Sequence, residues 1–231
     1  MLKLHARESR DEKMIVMKEI KNIIFDLGGV IIDLDRRDAI DALDRLGLKD
    51  ASALLGEYAQ QGPFLMLETG QISESELFDI FLPHCTQGTT CTDIRDAFEE
   101  FLREIPPERL DMLDALRKKG FRLYVLSNTN PLMYNHWIDN AFRNRGKSIN
   151  DYFDGIVVSY QERICKPDPK IFKNLISRYG LDASETLMLD DSEANCKGAE
   201  SVGLTALQVK AEGDDSFMEI CKRILNGEAI R

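Results

Sequence analysis

Apolar residues follow two different rhythms along the chain. Short unbroken runs bounded by polar or turn residues occur at NIIFD from Asn22, RLYVLS from Arg122, GIVVS from Gly155, TLMLD from Thr186 and TALQV from Thr205. Runs of this length without alternation suit strands buried on both faces. A further run, Val30-Ile31-Ile32, follows the turn-forming pair Gly28-Gly29 and has the same strand-like character. From about Arg36 to Arg103 the spacing changes to three and four, and no convincing strand remains. Ile40, Leu43 and Leu46 share a helical face that Gly47 would stop. Ser73 opens a capping-box pattern with Glu76, and Ile94, Ala97, Phe98 and Phe101 line another apolar face.

Pro106-Pro107 marks the return to an alternating pattern. The helix RLDMLDALRKKG ends at Gly120, IFKNLISRY is stopped by Gly180, and EANCKGAESV by Gly203. Strands alternating with helices predict a parallel sheet covered on both faces. The expected fold class is therefore α/β, a Rossmann-like parallel sheet core with an inserted all-helical domain. Its expected divisions are an N-terminal tail at 1–19, the core at 20–35 and 106–231, and the helical insertion at 36–105. Insertion after the first strand places the helices over the edge where open α/β sheets bind ligands, a position suited to a lid.

Composition narrows the classes of function. The chain has 231 residues, 43% of them hydrophobic and 30% charged, enough for one sizeable core with a smaller appendage. A net charge of -10 argues against nucleic acid as a partner, while local cations or a metal still allow a small phosphorylated substrate. No apolar run approaches the roughly 20 residues needed to span a membrane. The opening MLKLHARESRDEK is too charged for a secretory signal; a frayed tail is expected, with Met14 or Met17 as an alternative start. Five cysteines, an odd number without a CxxC pair, fit reduced thiols and a cytoplasmic location.

Candidate chemistry gathers at the strand ends. Asp26 follows NIIF, Ser127 follows YVL, Asp190-Asp191 follow LML, and Lys166 lies a short loop beyond GIVVS. Taken singly each has a plainer reading: a helix cap for Asp26 or Ser127-Asn128, a solvated loop for Lys166. Taken together, the carboxy-terminal ends of parallel strands converge on one crevice. Three carboxylates there would repel one another unless a cation were present, and magnesium, with its preference for hard oxygen ligands, resolves the conflict. Lys166 would neutralise phosphoryl oxygens or hold Asp26 ionised. Ser127 and the backbone N–H groups after it could donate to phosphate. Asp26 attacking phosphorus would form an aspartyl-phosphate and split transfer into two easier steps.

The motifs FDLGGV, LSN, CKPDPKIF and LDDSEAN, in this order with a helical insertion after the first, resemble the haloacid dehalogenase superfamily of hydrolases. Within it the look is closest to bacterial sugar-phosphate phosphatases of the glucose-1-phosphate type. The resemblance implies that Asp26 is nucleophile and magnesium ligand and that Ser127 and Asn128 bind the phosphoryl group. It implies that Lys166 orients the nucleophile and screens charge, that Asp190 and Asp191 hold magnesium, Asp191 more directly, and that the backbone carbonyl of Gly28 completes the metal set. Most phosphatases of the superfamily carry an aspartate at the position of Gly28 as general acid and base, and its loss typically costs ~10²–10⁴-fold. Anomeric or acyl phosphates, as good leaving groups, would suffer least.

Asp33 or Asp35 could substitute for that acid, although hinge solvation or a helix cap is the plainer reading. Glu68, in the turn ETG, could face the substrate, Trp137 suits packing, and Cys165 suits a small half-buried side chain. The expected activity is a magnesium-dependent phosphatase for a small phosphorylated metabolite. The alternatives are an inactive or weakly active binding or regulatory protein, a 2-haloacid dehalogenase, which needs no metal, and a phosphomutase, which gains most from the acid missing at Gly28. Oligomeric state is not legible.

Overall fold

Five short strands, β1 (Asn22–Phe25), β2 (Arg122–Ser127), β3 (Gly155–Val158), β4 (Thr186–Asp190) and β5 (Thr205–Gln208), lie parallel in the order β3-β2-β1-β4-β5. The structure, a computed structural model, describes residues 20–49, 51–56, 61–143, 146–213 and 216–229, so the expected tail at 1–19 lies outside the described residues. Each strand read from an apolar run is present except Val30–Ile32. That segment is buried but forms a turn, in which the N–H groups of Ile31 and Ile32 both donate to the carbonyl of Leu27 at 2.8 Å. Gly29, at φ +70, supplies the left-handed step that lets the chain double back.

The sheet is covered on both faces, which is why its sequences do not alternate. Ile23 and Phe25 of β1 join one apolar cluster with Leu123, Val125, Leu187 and Leu189. Ile24 points the other way, with Tyr124, Leu126 and Met188, onto α10 (Pro169–Tyr179) and α11 (Glu193–Glu200) through Phe172 and Ala199. The three apolar residues of β1 have no exposed surface, and each contributes roughly 1.5–3 kcal/mol by burial.

Between β1 and β2 the regular elements among the described residues are helices. In order come α1 (Arg36–Arg45), α2 (Ala51–Leu54), α3 (Gly62–Glu68), α4 (Glu74–Phe81) and α5 (Cys91–Glu99), then α6 (Pro107–Lys119) against the sheet. Asp35 caps α1 by accepting from the N–H groups of Arg37 and Asp38, and the Ser73–Glu76 capping box opens α4 as its spacing predicts. Phe64 stacks on Phe98 with centroids 4.4 Å apart and meets Phe81 edge-on at 5.0 Å, giving the helical segment its own aromatic centre. The two chain crossings into this segment pair as a short antiparallel ribbon: Asp33 N–H donates to Glu104 O at 2.9 Å, and Arg103 N–H to Asp33 O at 2.8 Å.

Beyond β2 the chain passes through a π-helical stretch, Met133–Ile138, into α7 (Asp139–Arg143) and α8 (Ile149–Tyr152). A short helix, α9 (Ser159–Glu162), follows β3, and α12 (Phe217–Asn226) closes the sheet's first face. α11 ends at Glu200, earlier than its glycine predicts; Leu204 N–H turns back onto Ala199 O, and Gly203 serves that turn instead. Among the described residues no helix is long and apolar enough to cross a membrane.

Candidate active site

Parallel register brings the strand ends to one edge. Phe25 pairs with Val125 on one side and Leu189 on the other, so Asp26 emerges between Ser127 and Asp190. The backbone N–H of Asp26 donates to Leu189 O at 2.9 Å, which fixes that residue against β4 before its side chain enters the cleft. Carboxylate oxygens of Asp26, Asp190 and Asp191 lie within 4.8 Å of one another. Lys166 sits behind them with a fully buried side chain. Its ammonium lies 3.0 Å from Asp26 Oδ1 and 2.6 Å from Asp190 Oδ2.

The electrostatics follow from burying three acids beside one base. Burial, countered by Lys166 and reinforced by the charges of Asp190 and Asp191, pushes the Asp26 carboxyl up to about 7. Burial and then Asp190 push Asp191 up to about 6. Burial alone would lower the Lys166 ammonium, but the charges of Asp190 and Asp26 outweigh it and hold the ammonium above its ordinary value. One buried cation therefore does not satisfy the acids. Three hard oxygen donors with charge to spare fit a divalent cation.

The four acid and base positions read from the strand ends thus converge, and the structure adds detail to each. Asp190 is fully engaged: Oδ1 accepts from Ser192 N–H and from the Asn195 amide, both at 2.9 Å, while Oδ2 takes Lys166. Asp191 is half-buried and lines the cleft. Asn128 spends its side chain on the backbone of Lys166, accepting its N–H at 2.8 Å and donating to its carbonyl at 3.0 Å. That amide positions the lysine loop, and what Asn128 presents to the cleft is backbone. The buried Ser159 clamps the loop of Asn128, after β2, by accepting from Thr129 N–H at 3.0 Å and donating to Thr129 O at 2.9 Å. Neither Asn195 nor Ser159 was singled out from the sequence. Both were visible, Asn195 as the last letter of LDDSEAN and Ser159 as the polar residue that closes the run GIVVS.

The cleft is lined by Asp26, Gly28, Ser127, Asn128 and Asp191, and from the helical segment by Glu68. Glu68 is the last residue of α3, on the same face as the buried Phe64. Its turn rests on the core. A Cβ on Gly70 would collide with the carbonyl of Tyr160, and the Cys165 thiol reaches Glu68 O at 3.9 Å. Burial, then the charge of Asp26, push the Glu68 carboxyl up to about 8. Cys165 is half-buried and its thiol is raised by burial to about 11, in keeping with a packing role.

The two acids considered as substitutes at the hinge are committed elsewhere. Asp33 pairs with Arg109 at 2.7 Å outside the cleft, and Asp35 caps α1 and meets Arg103 at 3.2 Å. Trp137 is half-buried on the π-helical stretch and packs on the main core.

Gly29 lies against the acids as well. A Cβ there would fall 2.8 Å from Asp191 Cγ and closer still to its Oδ2. Gly29→Ala should therefore displace the Asp191 carboxylate and weaken divalent-cation affinity on the order of 10–100-fold. Titration of the thermal-shift midpoint with magnesium checks this, and an unchanged midpoint would show that Asp191 does not hold the cation.

A parallel α/β sheet with three converging acids and a buried lysine at its carboxy-terminal edge fits a site where a divalent cation meets a phosphoryl group. The family model for haloacid dehalogenase-like hydrolases matches residues 20–203, and the chain belongs to that family. D-Ribitol-5-phosphate phosphatase of Bacteroides thetaiotaomicron is 37% identical over 84% of this chain and 94% of its own length. Glyceraldehyde 3-phosphate phosphatase of Pyrococcus abyssi is 30% identical over 83% of this chain and 82% of its own. Among solved structures, a HAD family enzyme of B. thetaiotaomicron in complex with magnesium and inorganic phosphate superposes with a TM-score of 0.78. It shares 36% identity, and the match covers 86% of this chain and 98% of that one.

Proposed function

We propose that the protein is a magnesium-dependent phosphatase that hydrolyses a primary phosphate monoester of a small polyhydroxylated carbon chain through an aspartyl-phosphate on Asp26. The observation that carries this reading is the convergence of Asp26, Asp190 and Asp191 around the buried Lys166 at the floor of a cleft. Magnesium, when bound, would be held by Asp26, Asp191 and the Gly28 carbonyl, with Asp190 behind them; it would neutralise phosphoryl charge. Asp26 supplies the attacking oxygen. Lys166 keeps that carboxylate ionised and oriented, and Ser127 with the N–H groups of the Asn128 loop receives the phosphoryl oxygens.

The substrate class rests on the relatives, whose names specify ribitol 5-phosphate and glyceraldehyde 3-phosphate, both primary esters. The anomeric ester suggested by the sequence resemblance is not among these names. Glu68, Phe101 and Leu102 bring the helical segment to the cleft, where it acts as a lid. The dehalogenase alternative leaves the acids of β4 without a purpose.

Phosphate release from a panel of sugar, polyol and triose phosphates, with and without magnesium, tests the reading. Silence across the panel, or release indifferent to magnesium, would sink it. Cation binding also has a pH signature. Asp26 and Asp191 are raised in the folded protein, so their contribution to stability is present at low pH and is lost as pH rises through about 6 to 7. Magnesium should offset this loss and raise Tm more at pH 8 than at pH 5. At 100 times its Kd the gain is about 2.7 kcal/mol, or roughly 5–10 °C.

A further inference from the structure

The proposed reaction meets a difficulty at Gly28. A primary alkoxide is a poor leaving group and needs a proton, yet the position that usually supplies it bears no side chain. Of the residues lining the cleft, the titratable ones are Asp26, Asp191 and Glu68. The first two belong to the nucleophile and cation set. Lys166 is locked between two carboxylates, and Asp33 and Asp35 are paired outside the cleft.

Resting on the phosphatase reading, we propose that Glu68, carried on the helical segment, is the general acid and base that replaces the missing side chain at Gly28. Glu68 is 8% exposed and lines the same cleft as Asp26, and no hydrogen bond or ion pair holds its carboxyl among the described residues. Phe64, one turn earlier in α3, anchors the helix in the aromatic centre of the segment, while Gly70 and Cys165 seat the turn on the core. The charged and titratable groups that face Glu68 are Asp26 from the end of β1, and Lys166 and Cys165 from the loop before α10. Burial and the nearby Asp26 charge favour the protonated acid, the form a leaving group requires.

In the first step an Asp26 oxygen bonds to phosphorus and the bond from phosphorus to the alcohol oxygen breaks. The Glu68 proton passes to that oxygen, giving the free alcohol, the aspartyl-phosphate and a Glu68 carboxylate. In the second step Glu68 takes a proton from water as the water oxygen attacks phosphorus. Inorganic phosphate leaves, and both acids return to their starting states. The helical segment thereby becomes part of the catalytic machinery.

The test uses native protein, Glu68→Gln, Gly28→Asp and the double variant, on D-ribitol 5-phosphate and on p-nitrophenyl phosphate. Glu68→Gln should lower kcat/KM for the alkyl ester ~10²–10⁴-fold, and for the aryl ester by less than about tenfold, since nitrophenolate needs no proton. With the second step slowed, a nitrophenolate burst should appear. Gly28→Asp places an acid at the usual position; its Cβ would come 3.0 Å from Leu34 Cδ1, the far end of an exposed side chain that can turn away. It should recover alkyl-ester turnover in the Glu68→Gln background. Equal losses on both esters, or no rescue by Gly28→Asp, would overturn the role of Glu68 while leaving the phosphatase reading intact. A native protein that cleaves neither ester in magnesium would overturn both. A retained magnesium-dependent thermal shift verifies that each variant is folded.

Discussion

Asp26→Asn should abolish phosphate release, by on the order of 10⁵-fold or more, while the protein stays folded. The amide has the shape of the carboxylate but neither attacks phosphorus nor holds a cation well, so no slower version of the same pathway remains. The fold should tolerate it because the native carboxylate is under electrostatic strain. Its carboxyl is raised to about 7 by burial and by the neighbouring acids. A group raised on folding favours the folded state at low pH and loses that contribution as pH rises through its folded value. Without magnesium, native protein should therefore lose more Tm between pH 5 and pH 8 than Asp26→Asn does. A variant that retains even a hundredth of native turnover would rule out Asp26 as nucleophile. One that unfolds would place the residue among the structural ones.

Removing the lysine should damage stability as well as rate. Lys166→Ala leaves Asp26 and Asp190 buried without their shared cation, and breaking such a buried pair costs about 3–5 kcal/mol. In a chain of this size that corresponds to a fall in Tm of roughly 6–20 °C. Turnover should fall at least ~10²–10³-fold, as for other preorganised charges in dry sites. Magnesium should recover part of the lost stability, because it neutralises the same carboxylates from the cleft side. Urea denaturation with and without magnesium measures both effects. A loss below about 1 kcal/mol would mean that water or rearrangement already compensates the acids.

The strand ends were legible because two independent regularities coincide. An unbroken apolar run marks a strand covered on both faces, as the split of Ile23 and Phe25 from Ile24 between two clusters demonstrates. A polar residue directly after such a run must then emerge at the sheet's carboxy-terminal edge. Asp26, Ser127 and Asp190-Asp191 all obey this rule. The rule failed for Val30–Ile32, where the apolar run is buried but turns back on Leu27, because burial alone does not distinguish a strand from a packed turn. It also could not anticipate that the Asn128 amide would be consumed by the backbone of Lys166.

The chain's own sequence thus determined the α/β class, the helices between β1 and β2, and the meeting of Asp26, Lys166 and the Asp190-Asp191 pair at the strand ends. These depend on local periodicity and on residues placed at element ends, which a linear chain displays directly. Tertiary structure alone decided which acid faces the cleft. Asp33 and Asp35 lie close to Asp26 in sequence, yet Arg109, Arg103 and the start of α1 hold them away from it. Glu68 lies far from Asp26 along the chain, yet α3, anchored by Phe64 and seated at Gly70, brings it over the site. Which of several carboxylates becomes buried and free of partners is set by packing between distant segments, and residue spacing does not encode it.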